Sequence, residues 1–127
     1  MKRNRLGLCA LGFAGALLSS TAAFAGWRSS QEVVIWDVLS FANGDVSYAS
    51  NTADMGQRIE CESKGGSGYC LAEDQTGLTR QCSTSDSDLL AVIRSLKNDS
   101  YLSFSWDTNG HCTNIRVDNS SYTVPKK

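Results

Sequence analysis

The most regular alternation of apolar and polar positions runs from Cys82 to Asp118. Leu89, Leu90, Val92, Ile93 and Leu96 recur with a 3.6-residue period, which predicts one amphipathic helix with a single apolar stripe. Ser85 is the expected N-cap, and Asp86 and Asp88 suit the positive end of the helix dipole. Arg94 and Lys97 suit the other end, and Asn98 can stop the helix. The following residues alternate about Asn109-Gly110, a strong two-residue hairpin signal. Pairing about that turn sets Trp106 opposite Thr113, Phe104 opposite Ile115 and Leu102 opposite Val117, so the apolar partners share one face. The other face collects Tyr101, Ser103, Ser105, Asn114 and Arg116.

Upstream, Glu32 to Leu39 is rich in β-branched residues and apolar on both faces, which predicts a central strand covered on both sides. A second hairpin is expected at Asn43-Gly44, with Phe41 opposite Val46, Leu39 opposite Tyr48, and an end near Ala49. Residues 50 to 56 carry no period and read as a loop. Between Arg58 and Cys82 two hairpins compete. A turn at Gly65-Gly66 places Cys61 opposite Cys70, whereas a turn around Gln75-Thr76-Gly77 places Cys70 opposite Cys82. The second has the better strands, Gly68 to Asp74 and Leu78 to Cys82, and the Gly-rich run from Lys64 to Gly68 reads as flexible. The tail from Asn119 is polar and expected to fray after Tyr122. The fold class is therefore α+β: a small, mostly antiparallel sheet, an OB-like barrel or a curled sheet, with one amphipathic helix packed on it.

Residues 1–25 have the form of an export signal of bacterial type. Lys2, Arg3 and Arg5 precede an apolar run from Leu6 to Leu18, and Ala23-Phe24-Ala25 is a small-residue cleavage site. Removing these 25 of the 127 residues leaves 102, enough for one domain, 26–127. The leader takes three basic residues, so 9 Lys and Arg face 13 Asp and Glu, a net charge of −4. A mildly acidic chain without a basic cluster argues against nucleic acid and anionic membranes as partners. Four Cys remain after the leader removes Cys9. Two disulfides and a secreted or periplasmic destination are expected. The spacing of Cys61, Cys70, Cys82 and Cys112 has no C-x2-4-C pair and there is one His, so no metal is expected.

No cofactor and no catalysis are expected. His111 follows Asn109-Gly110 in an exposed turn, while a general base needs an orienting partner and a pocket. Glu73 and Asp74 are adjacent and would face opposite sides of a strand, not flank one bond. Gly66-Ser67-Gly68 lacks the strand-to-helix setting of a nucleophile elbow. The polar hairpin face is the better candidate. Tyr101, Ser103, Ser105, Asn114 and Arg116 offer an aromatic plane, hydroxyls, an amide and a guanidinium, groups that suit a sugar, a sugar carboxylate or a partner loop.

The hairpin register also bears on the disulfides. It sets Cys112 opposite Asp107, on the polar face, so that a segment must cross that face to meet it. The strand around Cys61 is the best placed, which leaves Cys70 with Cys82. The expected pairs are Cys61–Cys112 and Cys70–Cys82.

In element order, with one helix between the third and fourth strands of a small barrel, the chain resembles OB-fold proteins. Gly68-Tyr69-Cys70 through Cys82, then the helix, then an alternating strand, looks like the B subunits of pertussis-like and subtilase-like AB toxins, over roughly half of the mature chain. The resemblance implies a secreted, glycan-binding homo-oligomer. The chain departs from that pattern in its extra Cys61 and in lacking a counterpart for a glycan-binding serine, and a shared fold does not carry function. The expected function is a non-catalytic exported binding domain recognising a glycan or a protein. The alternative is a periplasmic inhibitor or immunity-type protein that plugs an enzyme cleft with a loop such as 50–56 or 63–68.

Overall fold

The computed structural model describes residues 31–53 and 56–120. The export signal and the end of the tail lie outside the described residues. Among the described residues, seven strands form two antiparallel sheets. The first, in the order β1-β2-β6-β7, contains β1 (Val34–Trp36), β2 (Phe41–Asp45), β6 (Tyr101–Trp106) and β7 (Cys112–Asp118). The second is a meander of β3 (Arg58–Lys64), β4 (Ser67–Glu73) and β5 (Thr79–Thr84). A single helical turn, α1 (Val46–Ala49), follows β2, and the amphipathic helix α2 (Ser87–Arg94) joins β5 to β6. The expected α+β class holds, with mostly antiparallel strands and two disulfides.

The helix starts one residue later than Ser85 suggests. Asp86 is the N-cap, and its Oδ1 accepts from the backbone N–H groups of Asp88 at 2.9 Å and Leu89 at 3.0 Å, satisfying two of the donors that a helix start leaves open. Leu90 and Ile93 are the buried residues of α2, while Leu89, Val92 and Leu96 pack partly exposed against the core. Arg94 stands in the last turn of α2, as expected, and donates to the Gly65 carbonyl at 3.0 Å, which ties α2 to the β3–β4 turn. The core lies between the inner sheet faces, with Leu102 and Phe104 of β6 at its centre, both fully buried. Burying such a side chain contributes roughly 1.5–3 kcal/mol.

Both hairpins that competed between Arg58 and Cys82 form, because β4 is shared. Cys61 pairs with Cys70 across β3 and β4, and Cys70 pairs with Cys82 across β4 and β5. Gly65 and Gly77 make the two turns with φ of +60° and +84°, a region that suits glycine. Asp74 braces the second turn through its carboxylate, which accepts from the Thr76 and Leu78 N–H groups.

The upstream hairpin differs from expectation. The chain reverses at a 3-10 turn, Asp37–Leu39, closed by Ser40 at φ +50° with its N–H on the Asp37 carbonyl at 3.1 Å. Val34 then pairs with Asn43 and Trp36 with Phe41, so Asn43-Gly44 lies inside β2 and the segment after it is helical. Gly44 serves close packing instead of a turn. A Cβ there would stand 3.1 Å from Val33 Cα and Cγ2, and backbone approach of this kind is a recognised use of strand glycine. Consequently β1 is an edge strand and not a central one.

In the last hairpin Leu102 pairs with Val117 and Phe104 with Ile115, as expected, but a bulge between Ser105 and Trp106 sets Trp106 opposite Cys112. The cause lies in the turn. Asp107 Oδ1 accepts from the N–H groups of Asn109 and His111, each at 2.9 Å, and Gly110 takes φ +80°. The extra residue turns Cys112 from the polar face to the core. It is buried there and bonds Cys82, so the pairs are Cys61–Cys70 and Cys82–Cys112 in place of those expected.

The Cys82–Cys112 bond spans the two sheets. Beside it the Ser83 N–H donates to the Gly110 carbonyl at 2.9 Å, and Ser83 and His111 form a parallel bridge. At this seam β5 and β7 bring the sheets edge to edge.

Candidate functional site

Residues directly opposite on neighbouring antiparallel strands share a face, so register alone assembles the outer face of the first sheet. One row runs Trp36, Phe41, Ser105, Asn114; the next runs Val34, Asn43, Ser103, Arg116; the third brings Asp45, Tyr101 and Asp118 together. All five residues expected to bind ligand, Tyr101, Ser103, Ser105, Asn114 and Arg116, therefore lie on this one face. Their exposure differs. Asn114 and Arg116 are exposed, Tyr101 and Ser105 are half-buried, and Ser103, between Asn43 and Arg116, is buried.

Three residues of the patch were hidden from sequence reasoning: Trp36, Phe41 and Asn43. Placing a turn at Asn43-Gly44 took Asn43 out of a strand and set Phe41 opposite Val46, whereas pairing of β1 with β2 and of β2 with β6 brings all three to this face. Trp36 is 53% exposed at the rim of the face. Asn43 donates from Nδ2 to Gln31 Oε1 at 3.3 Å, while its buried Oδ1 has no donor among the described residues. A buried carbonyl without a donor is uncommon and favours an incoming N–H or O–H. Arg116 lies 3.8 Å from Asp118 in an exposed pair. Such a pair is weak and leaves the guanidinium free to engage an incoming carboxylate.

Beyond this face, the β1–β2 turn carries Val38 and Leu39, 98% and 70% exposed. Its base is fixed by Asp37, whose carboxylate accepts from Arg80 Nε at 2.5 Å and from a terminal guanidinium nitrogen at 2.6 Å. The hydrogen bond from Arg80, helped by its charge, holds the Asp37 carboxyl below the usual carboxylate range.

Two clefts flank the second sheet. One, of about 850 Å³, runs between β3 and the ends of the helices and is lined by Ile59, Cys61, Glu62, Ile93, Leu96 and Lys97 among others. The other, of about 530 Å³, lies at the seam and includes Tyr69, Ser83, Thr84 and His111. His111 Nδ1 is 3.4 Å from Asp107 Oδ2, with the imidazole 67% exposed. Tyr69 donates to Glu62 at 3.0 Å, which raises the phenol pKa through that bond and the carboxylate charge. The sulfurs of Cys70, Cys82 and Cys112 lie within 4.8 Å of one another, but each is committed to a disulfide and so is not the thiolate a metal binds. No helix among the described residues is long and apolar enough to cross a membrane. Comparison of the chain with known protein families, characterised proteins and solved structures finds no match.

Proposed function

We propose that this chain is an exported, non-catalytic binding domain whose outer sheet face receives a glycan. One observation carries the reading: the exposed Trp36 ring and Phe41 share one row with the hydroxyl of Ser105 and the amide of Asn114, and the adjoining row of the same face carries Asn43, the buried Ser103 and the guanidinium of Arg116. A saccharide has apolar C–H faces that stack on aromatic rings and hydroxyls that need both donors and acceptors. A rigid aromatic plane beside a few convergent polar groups meets both needs. Arg116 additionally suits an acidic sugar, whose carboxylate it can engage with two parallel N–H bonds.

Export is supported by the form of the first 25 residues and by the two disulfides, which persist in oxidising compartments. An OB-like reading is supported by α2 standing between the three-stranded meander and the last hairpin, with β5 and β7 meeting at the seam.

A second reading, a protein partner, is favoured by the exposed Val38 and Leu39 on a turn braced by Arg80. Apolar residues held out on a preorganised turn fit a partner's pocket at small entropic cost. In an inhibitor the turn would serve as a plugging segment beside the loops at 50–56 and 63–68.

An array of defined glycans, probed with folded protein and with Trp36→Ala, tests the first reading. Binding that is lost in Trp36→Ala at an unchanged melting midpoint supports it. Glycan binding unaltered by that change refutes the site. A folded protein that binds no glycan, yet forms a stoichiometric complex lost in the double variant Val38→Ser, Leu39→Ser, favours the second reading.

A further inference from the structure

We infer that the four half-cystines form a thiol–disulfide exchange relay, entered by a small monothiol at Cys61 and moving the inner bond from Cys82–Cys112 to Cys70–Cys82. The basis is their arrangement. Cys61, Cys70 and Cys82 are direct register partners on three adjacent strands, so their side chains form one row on the core face of the second sheet. Cys112, turned inward by the bulge in the last hairpin, continues the row from β7. The native bonds join first to second and third to fourth. The second and third face each other across β4 and β5, and the Cys70 sulfur lies within 4.8 Å of both Cys82 and Cys112. Opposed residues of adjacent strands fall within the Cα separation that a disulfide accepts.

Access to the row is one-sided. Cys70, Cys82 and Cys112 are buried, whereas Cys61 is partly exposed and lines the cleft of about 850 Å³ beside β3. A monothiol entering that cleft reaches Cys61 first. Its thiolate bonds to Cys61 Sγ, the Cys61–Cys70 bond breaks, and Cys70 leaves as a thiolate. Cys70 then attacks Cys82 Sγ, forming Cys70–Cys82 and expelling Cys112 as a thiolate that takes a proton from water. One thiol proton has been lost to water and one gained by Cys112, two disulfides remain, and no oxidant or other reductant is required. The attack is directed at Cys82 because it is the register partner, while Cys112 belongs to the other sheet.

The exchange has a structural consequence. Cys82–Cys112 is the described covalent tie between the sheets, and Cys70–Cys82 lies within one of them. After the relay the seam rests on the bridge at Ser83, with its N–H on the Gly110 carbonyl. A thiol entering at Cys61 thus loosens a joint two strands away.

The test treats the disulfide-bonded protein with stoichiometric 2-mercaptoethanol, quenches in acid, alkylates free thiols and maps linked peptides. The relay predicts that an adduct on Cys61, a Cys70–Cys82 link and alkylated Cys112 rise together, with faster hydrogen exchange at the Ser83 amide. An adduct first on another cysteine, a free Cys70 beside an intact Cys82–Cys112 bond, or a Cys70–Cys112 link overturns it. Cys61→Ser supplies a second arm with no added thiol. Expected there is alkylation at Cys112, and alkylation at Cys70 alone contradicts the relay. If that variant does not fold, the wild-type arm decides by itself.

Discussion

Gly68→Ala tests how α2 is seated. Gly68 lies in β4 between Ser63 and Thr84, where the helix passes over the second sheet. A Cβ at this position would stand 2.9 Å from the Glu62 carbonyl oxygen, 2.9 Å from Leu90 Cδ2 and 3.1 Å from Ile93 Cδ1. Leu90 and Ile93 are the buried residues of α2, and the Glu62 oxygen belongs to the backbone of the paired strand, so it cannot rotate away. The added methyl must therefore lift the helix or part the strands. Overpacking of this kind costs about 1–3 kcal/mol. Restricting the unfolded chain offsets roughly 0.4–1 kcal/mol of that, which leaves a net loss of up to about 2.5 kcal/mol and a deficit of about 1–3 kcal/mol against a glycine replaced in open space, which gains the same offset. In a domain of this size, each kcal/mol moves the melting midpoint by roughly 4–8 °C. Gly66→Ala is the internal control, because a Cβ there meets nothing within 4 Å. Urea unfolding of both variants, with an unchanged m-value, provides the comparison. Should Gly68→Ala prove as stable as Gly66→Ala, the close seating of α2 on β4 is wrong.

Asp86→Ala should cost about 1 kcal/mol, because two N–H groups at the start of α2 lose their acceptor; thermal melts would show it, and Ser85→Ala should do less. Replacing both Cys82 and Cys112 by Ala should cost about 3.5 kcal/mol for a sequence separation of 30, and replacing Cys61 and Cys70 about 2.5 kcal/mol for a separation of 9, on the loop-entropy model. Equal losses in paired denaturation curves would contradict that ordering. The Asp107 carboxyl is held below its ordinary value by the backbone N–H of His111 first, and also by that of Asn109. Its contribution is complete above the ordinary aspartate range and fades as pH falls through the lower folded-state value. Stability measured against pH should therefore fall more steeply in acid for wild type than for Asp107→Asn, which keeps an acceptor oxygen but cannot titrate. Superimposable acid limbs would count against this role.

How much of the chain was legible depended on how local each signal was. The stripe of α2 and the pairing of Leu102 and Phe104 with Val117 and Ile115 follow from neighbours within one helix and one hairpin, and both appear in the structure. Asn43-Gly44 misled because a glycine that admits the Val33 backbone looks the same in sequence as a turn glycine. The bulge at Ser105/Trp106 depends on which amide hydrogens the Asp107 side chain accepts, a detail that alternation cannot register. That one residue reversed the face of Cys112, and both disulfide pairs changed with it. The hairpin half of the candidate site was legible because Tyr101, Ser103, Ser105, Asn114 and Arg116 alternate. Trp36, Phe41 and Asn43 reach the same face through β1–β2 and β2–β6 pairing, and the latter joins residues some sixty positions apart that no local pattern connects.

The most direct test of the glycan-binding face is a backbone amide and indole NMR titration of the folded protein with the strongest glycan from a defined array. Glycan bound at this face should give saturable shifts centred on the Trp36 indole, Phe41, Asn43, Ser103, Ser105, Asn114 and Arg116, all abolished by Trp36→Ala. Saturable shifts confined to the cleft beside β3 or to the seam at His111, with the outer face of the first sheet unmoved, would contradict it.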